Sequence, residues 1–238
     1  MSINEIKARI ASGGNIKLGS QMGTFSKLAG DEIFQTKYGP VFGSCGKYCK
    51  YCKGRDKCYV FKSYRYGSVI NGQARNTLAF RIDLEQAFSD IQGQLSRKRK
   101  PFKNIRINQA GEIENTQELI NWIATASMFP DTYFYLYTKN FDAIREVVKI
   151  GFPVPDNFTV LVSIWHEYGI PEYMEFRHLS WIKAFIYDDG FNYSEYGLEI
   201  ETYCKAYNEA GKLDHNVTCE KCQKCLRSKY KLIGCYSH

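Results

Sequence analysis

The stretch CGKYCKYCKGRDKC, starting at Cys45, holds four cysteines in fourteen residues. Cys45, Cys49 and Cys52 are spaced CxxxCxxC, and Cys58 follows. Three thiolates this close in sequence can wrap one face of a cubic [4Fe–4S] cluster and leave the fourth iron without a protein ligand. An open metal position can bind and polarise a small molecule, as an open zinc site does. Lys47, Lys50, Lys53, Arg55 and Lys57 stand among the thiols. Positive charge there lowers thiol pKa values and offsets a negative cluster. Cys58 leaves two alternatives open. As a fourth ligand it closes the cluster, giving a structural or electron-transferring centre; otherwise it replaces one of the first three.

A second group lies near the other end. TCEKCQKC spaces Cys219, Cys222 and Cys225 as CxxCxxC, with Cys235 ten residues on. Two-residue gaps let neighbouring thiolates share one metal centre or adjacent corners of a cluster. Cys235 is the expected fourth ligand, with Cys204 a rival and His215 a weaker one. Three close cysteines and a distant fourth favour a second iron–sulfur cluster, with a Cys₄ zinc site as the alternative. Either way, this polar segment is expected to be unfolded without its metal.

The setting supports metal over disulfides. No run of eighteen apolar residues marks a membrane span, and the first residues carry no apolar signal core. The expected location is the cytoplasm, where thiols stay reduced and clustered cysteines read as ligands. The formal net charge is +7, with basic residues gathered in RKRKPFKNIR, Arg97–Arg106. Such a balance favours an anionic partner such as a nucleotide or nucleic acid, although a solvated loop explains RKRK by itself equally well. No membrane partner is expected.

Elements must position these groups. The 238 residues suffice for one substantial core with a small appendage. The first forty read as loops and short strands. Leu78, Ile82, Leu84, Phe88, Ile91 and Leu95 recur at helical spacing and predict one helix over 75–98. Beyond it the pattern alternates: NIRINQAGEI as a short strand and loop, helix NTQELINWIATASMF capped by Asn115 or Thr116, strand TYFYLYTKN, helix FDAIREVVKIG ended by Gly151, the nearly apolar strand NFTVLVSIWHE, a short helix IPEYMEFRHLS, and strand WIKAFIYDDG. Repeated strand–helix units imply right-handed crossovers and a parallel sheet, open or forming a partial barrel. Binding residues then belong at the C-terminal ends of the strands. There stand Ala110-Gly111-Glu112, Thr138 and Lys139, Ser163 and His166, and Asp188 and Asp189. Gly111 permits close approach of the backbone to a ligand. Glu112 can pair with an ammonium, and Ser163 can reach a ribose hydroxyl. A solvated turn glutamate and a satisfied strand-end histidine are the plainer readings of Glu112 and His166. Residues 1–200 are expected to form the core domain and 201–238 a Cys-rich metal- or cluster-binding lobe.

The CxxxCxxC of Cys45, Cys49 and Cys52, with aromatic Tyr51 before the third cysteine, resembles the signature of the radical S-adenosylmethionine enzymes. That resemblance implies a partial (β/α)₆ TIM-like barrel. It implies a [4Fe–4S] cluster whose open iron is chelated by the amino and carboxylate groups of S-adenosylmethionine, and reductive formation of a 5′-deoxyadenosyl radical with an external electron donor. Ala110-Gly111-Glu112 is similar to the family's GGE motif, with alanine in place of the first glycine. It implies cofactor contact by Tyr51, Gly111 and Glu112. Many members of that family carry an auxiliary cluster near the C-terminus. The segments GNIKLGSQMGTFSKLAGDEIF, KSYRYGSVINGQARN, LYTKNFDAI and SIWHEYG also resemble a tailed-bacteriophage family of the gene product eighty-eight type. That likeness implies a phage origin and expression in the host cytoplasm, and supplies no reaction.

The expectation is therefore a radical S-adenosylmethionine enzyme with two clusters, acting on an anionic substrate. Two alternatives stand beside it. One is a zinc-containing nucleic-acid-binding protein, which the charge and the Lys- and Tyr-rich segments fit. The other is a closed-cluster redox or sensor protein, which follows if Cys58 completes the first site.

Overall fold

The structure, a computed structural model, describes residues 6–12, 18–19, 21–52, 58–210, 212–214, 216–227 and 229–236. Its centre is an eight-stranded sheet. The strands are β1 (Ala11–Ser12), β2 (Met22–Thr24), β5 (Asn104–Ile107), β6 (Tyr133–Thr138), β7 (Phe158–Ile164), β8 (Ile182–Asp188), β10 (Leu232–Tyr236) and β9 (Thr202–Tyr203), adjacent in that order. Seven strands run parallel, and only β1 pairs antiparallel. The end strands β1 and β9 do not pair with each other among the described residues. A separate hairpin, β3 (Ile33–Thr36) and β4 (Gly39–Phe42), leads into the first cysteine motif.

Alternation along the strands gives the sheet two faces. Ile105, Phe134, Leu136, Val160, Val162, Ala184 and Ile186 join the core formed with α4 (Thr116–Met128) and α5 (Phe141–Lys149). β7 is buried at every position, as a central parallel strand should be. The other face carries Tyr135, Leu161 and Ile233, packed against Leu18, Met22 and Leu226. Residues 201–236 thus supply two strands and a cover for this face, as well as the second group of cysteines.

The alternating units appear where periodicity puts them. Asn115 caps α4, accepting from Glu118 N, and Glu118 Oε2 accepts Glu114 N–H in return at 2.9 Å. Gly151 follows α5 with φ +64°. The single helix expected over 75–98 is instead two, α2 (Gly67–Ile82) and α3 (Leu84–Ser96). Asp83 breaks them: its carboxylate accepts from Gln86 N at 2.9 Å and starts α3 afresh. No helix among the described residues is long and apolar enough to cross a membrane.

Candidate functional site

The first cysteine motif forms a 3₁₀ turn, Gly46–Tyr51, with Cys45 and Cys52 as its flanking residues. A turn of three residues per cycle puts Cys49 and Cys52, three apart, on one side. The approach to it is held by backbone bonds: Gly43 N to Glu32 O at 3.0 Å, Ser44 N to Leu28 O at 2.6 Å, and Cys45 N to Gly30 O at 3.1 Å.

This turn sits against the loops that leave the C-terminal ends of β5 and β6. Ser44 Oγ accepts Glu112 N–H at 3.1 Å and donates to Leu28 O at 2.9 Å. Tyr48 donates to Asn140 Oδ1 at 2.7 Å. Tyr51 stacks on Tyr168, with ring centroids 3.9 Å apart at 8°. Cys45 and Cys58 both pack against the cluster of Ala29, Val60 and Ala110. Lys53, Arg55 and Lys57 lie outside the described residues.

Electrostatics tie the groups together. Burial pushes the Cys45 thiol up to about 12, with Glu112 adding to the rise and Lys139 opposing it. Burial also raises Cys58. Burial works against the Lys139 ammonium, but Cys52, which it hydrogen-bonds, and Glu112 outweigh that and raise it overall. Burial raises the Glu112 carboxyl, against the Lys139 charge and its hydrogen bonds. A thiol kept protonated by burial becomes a thiolate beside a metal ion, whose charge reverses that preference.

Glu112 is already engaged. Oε1 accepts Thr138 Oγ1 at 2.5 Å and Ile113 N at 2.8 Å, and Oε2 accepts Lys139 N at 2.9 Å. Gly111 has φ +85°, and a Cβ there would meet Ser44 Oγ at 2.5 Å and Lys27 O at 3.0 Å. Its close approach is therefore to the strap that carries Cys45. A cleft of about 410 Å³ opens beside Cys45, walled by Ser44, Tyr48, Arg81, Glu114 and Asn140 among others. Arg81 is held at its mouth by Glu114 at 2.6 Å and by the carbonyl of Phe42 at 2.7 Å. Ser163 is buried on β7. His166, just beyond β7 with φ +53°, pairs Nε2 with Asp189 at 3.0 Å. Asp188 accepts from Tyr203 at 2.7 Å.

The second group surrounds a cavity of about 20 Å³ on the far face of the sheet. Its walls include Cys204, Cys219, Cys222, Cys225, Tyr135 and Tyr137. Cys219 and Cys222 bound the short helix α7 (Cys219–Cys222), capped by Thr218. Burial pushes the Cys225 thiol up to about 12, while a hydrogen bond from Tyr137 works the other way. Cys235 is buried on β10, its Sγ 3.7 Å from Tyr236 O, and is not part of that wall. His215 lies outside the described residues. Among the described residues, no three His, Cys, Asp or Glu side chains are arranged to hold a metal ion as they stand.

A family model described as gene product 88 matches residues 9–231. The chain belongs to the gene product 88 family. The match spans both cysteine groups up to Lys231. No curated protein and no solved structure matches the chain significantly.

In this gene product 88 chain the donor sets suit soft metals: eight thiols border or flank the two sites, with Lys139 beside one and the Tyr137 hydroxyl beside the other. Cys45, Cys49 and Cys52 could hold an iron–sulfur cluster at the strand-end edge. Sequence reasoning did not single out Ser44, Tyr168, Tyr135 or Tyr137. Only the last two carried a signal, lying two apart on a predicted strand and so on one face.

Proposed function

We propose that the chain is a radical S-adenosylmethionine enzyme of partial-barrel architecture, acting on an anionic substrate and holding its cluster by Cys45, Cys49 and Cys52. The supporting observation is the seating of that 3₁₀ turn at the C-terminal ends of β5 and β6, against Lys139 and Glu112. That edge is where open parallel sheets and barrels keep their ligands. When bound, a cluster with one open iron supplies reductive cleavage of the sulfonium of S-adenosylmethionine.

The residues of the chain have separate tasks. Lys139 hydrogen-bonds Cys52 and offsets negative charge at the turn. Thr138 and two backbone amides fix the Glu112 carboxylate on the same side. The Tyr51–Tyr168 stack anchors the turn to the residues that follow β7. The cleft beside Cys45 is of a size that suits a nucleoside-bearing ligand, and an anionic group entering it would compete with Asp142 for Lys47 and with Glu114 for Arg81.

The test is anaerobic reconstitution with iron and sulfide, reduction with dithionite, and chromatography for 5′-deoxyadenosine from added S-adenosylmethionine. The expected result is a brown protein that yields 5′-deoxyadenosine, with Cys49→Ala abolishing it. An iron-free protein, or a loaded one that leaves S-adenosylmethionine intact, rejects the proposal.

One observation favours a second reading, a closed-cluster redox or sensor protein: Cys58 packs against the same small hydrophobic cluster as Cys45. Under that reading Cys58→Ala strips the cluster. Under the first it leaves iron and cleavage in place.

A further inference from the structure

Thirty residues lie between Cys204 and Cys235 in the chain, and both are candidates to complete the second group of thiols. Their places relative to the cavity separate their roles. Cys204 follows directly on β9, and its N–H donates to Gly234 O of β10 at 2.7 Å. That bond fixes Cys204 at the rim of the cavity lined by Cys219, Cys222 and Cys225. Cys235, one residue along β10, shares the face of Ile233 but sits beside Tyr187 of β8 in register and does not line that cavity.

The loop carrying the other three thiols is pinned to the sheet by polar anchors. Lys183 Nζ donates to Leu226 O at 3.1 Å, and Tyr133 donates to the same carbonyl at 3.1 Å. Lys224 Nζ reaches Thr202 Oγ1 and, at 3.1 Å, Tyr203 O on β9. The floor is aromatic. Tyr137 hydrogen-bonds Cys225, and the Arg106 guanidinium lies 4.6 Å from the Tyr137 ring centroid. Tyr135 is 1% exposed and lines the same cavity, yet its hydroxyl has no hydrogen-bond partner among the described residues. A buried hydroxyl left unpaired is costly, so its retention on a cavity wall calls for an acceptor inside the cavity. Thiolate and sulfide sulfur bound to metal are such acceptors.

We propose that Cys204, Cys219, Cys222 and Cys225 are the four ligands of a thiophilic metal centre, zinc or iron–sulfur, that Tyr135 and Tyr137 donate hydrogen bonds to its sulfur atoms, and that Cys235 is a packing residue. Binding draws the four thiols from the cavity wall onto the metal and releases their protons to solvent. The centre does not depend on the first site cleaving S-adenosylmethionine, and it stands or falls separately.

Zinc, iron and sulfide per chain are measured on the full chain purified anaerobically, as wild type, Cys204→Ser and Cys235→Ser. The expected result is that Cys204→Ser loses one whole centre, either one zinc or one cluster's irons, while Cys235→Ser keeps the wild-type content. The metal that disappears says which it is. Loss on Cys235→Ser with retention on Cys204→Ser overturns the assignment, as does a wild-type protein whose metal is unchanged by Cys219→Ser. Alkylation of the wild-type protein covers the case in which Cys204→Ser does not fold. With iodoacetamide and mass spectrometry, Cys204 should become reactive in step with Cys219, Cys222 and Cys225 when a chelator is added. A Cys204 rate indifferent to the chelator sinks the proposal.

Tyr135→Phe separates a positioning role from mere packing. It should keep the metal content and lower the reduction potential of an iron centre, or speed transfer of zinc to a colorimetric chelator. An unchanged potential and release rate refute the hydrogen bond.

Discussion

Gly111→Ala tests whether the strap that carries Cys45 is held by close packing on the β5–α4 loop. The backbone there has φ +85°, a region that costs an L-residue about 1–2 kcal/mol. The new Cβ would also stand 2.5 Å from Ser44 Oγ, 2.9 Å from Lys27 Cβ and 3.0 Å from Lys27 O. The Ser44 hydroxyl must move, and with it go its bonds to Glu112 N–H and Leu28 O, each worth about 0.5–1.5 kcal/mol net. Together these give a loss of about 2–5 kcal/mol, or a Tm lower by roughly 4–20 °C for a chain of this size. Gly151→Ala is the control: φ is +64°, but nothing lies within 4 Å of the added carbon, so only the backbone cost of about 1–2 kcal/mol applies. Urea titration of metal-free protein under argon measures both. Because Ser44 precedes Cys45, Gly111→Ala should also raise the alkylation rate of Cys45, and Gly151→Ala should not. Equal losses in the two variants, with Cys45 equally protected, refute the packing argument and return Gly111 to the role of a ligand-contact residue.

Lys27 is fully buried between Glu118 at 2.6 Å and Glu114 at 3.2 Å. Lys27→Met strands the Glu118 charge, so urea melts should show a loss of about 3–5 kcal/mol, with much of it recovered in Lys27→Met/Glu118→Leu. Tyr51→Ala removes the stack on Tyr168, worth about 0.5–1.5 kcal/mol beyond area. It should expose Cys49 and Cys52 to alkylation, whereas Tyr51→Phe should behave as wild type. Arg145 clasps Glu175 at 3.1 and 2.8 Å between α5 and α6 (Ile170–Phe176) and holds its carboxyl below the ordinary value. A depressed folded pKa makes the contribution present above the unfolded value of about 4.3 and lost as pH falls through the folded one. The pair is exposed, so Glu175→Gln should cost less than about 1 kcal/mol at pH 7, with no difference from wild type at pH 2 and little in high salt.

The parallel core was legible because its signals are local. The buried run FTVLVSI, the Asn115 cap with Glu118 three residues on, and Gly151 after α5 each declare an element within a few residues. Asp83-Leu84-Glu85-Gln86 carried an equally local cap signal, but the apolar spacing of Leu78 to Leu95 ran straight through it and hid the break. β10 was missed because Gly234 and Cys235 made LIGCY read as part of a cysteine loop, when its pairing partner β8 lies more than forty residues away. The same non-local pairing brings Cys204 beside Cys219, Cys222 and Cys225, and no spacing rule can see it. Glu112 and Gly111 were found as residues but read toward a ligand, since nothing local tells that Ser44 and Thr138 come to meet them.

β10 follows every other described strand in the chain, yet it lies inside the sheet, between β8 and β9. Until that segment leaves the ribosome, β8 has an open edge of unpaired amides and carbonyls, and β9 has no neighbour in the sheet at all. The core can only be zipped after synthesis has passed residue 236, and a nascent chain stalled before then presents a sticky strand to whatever is near it.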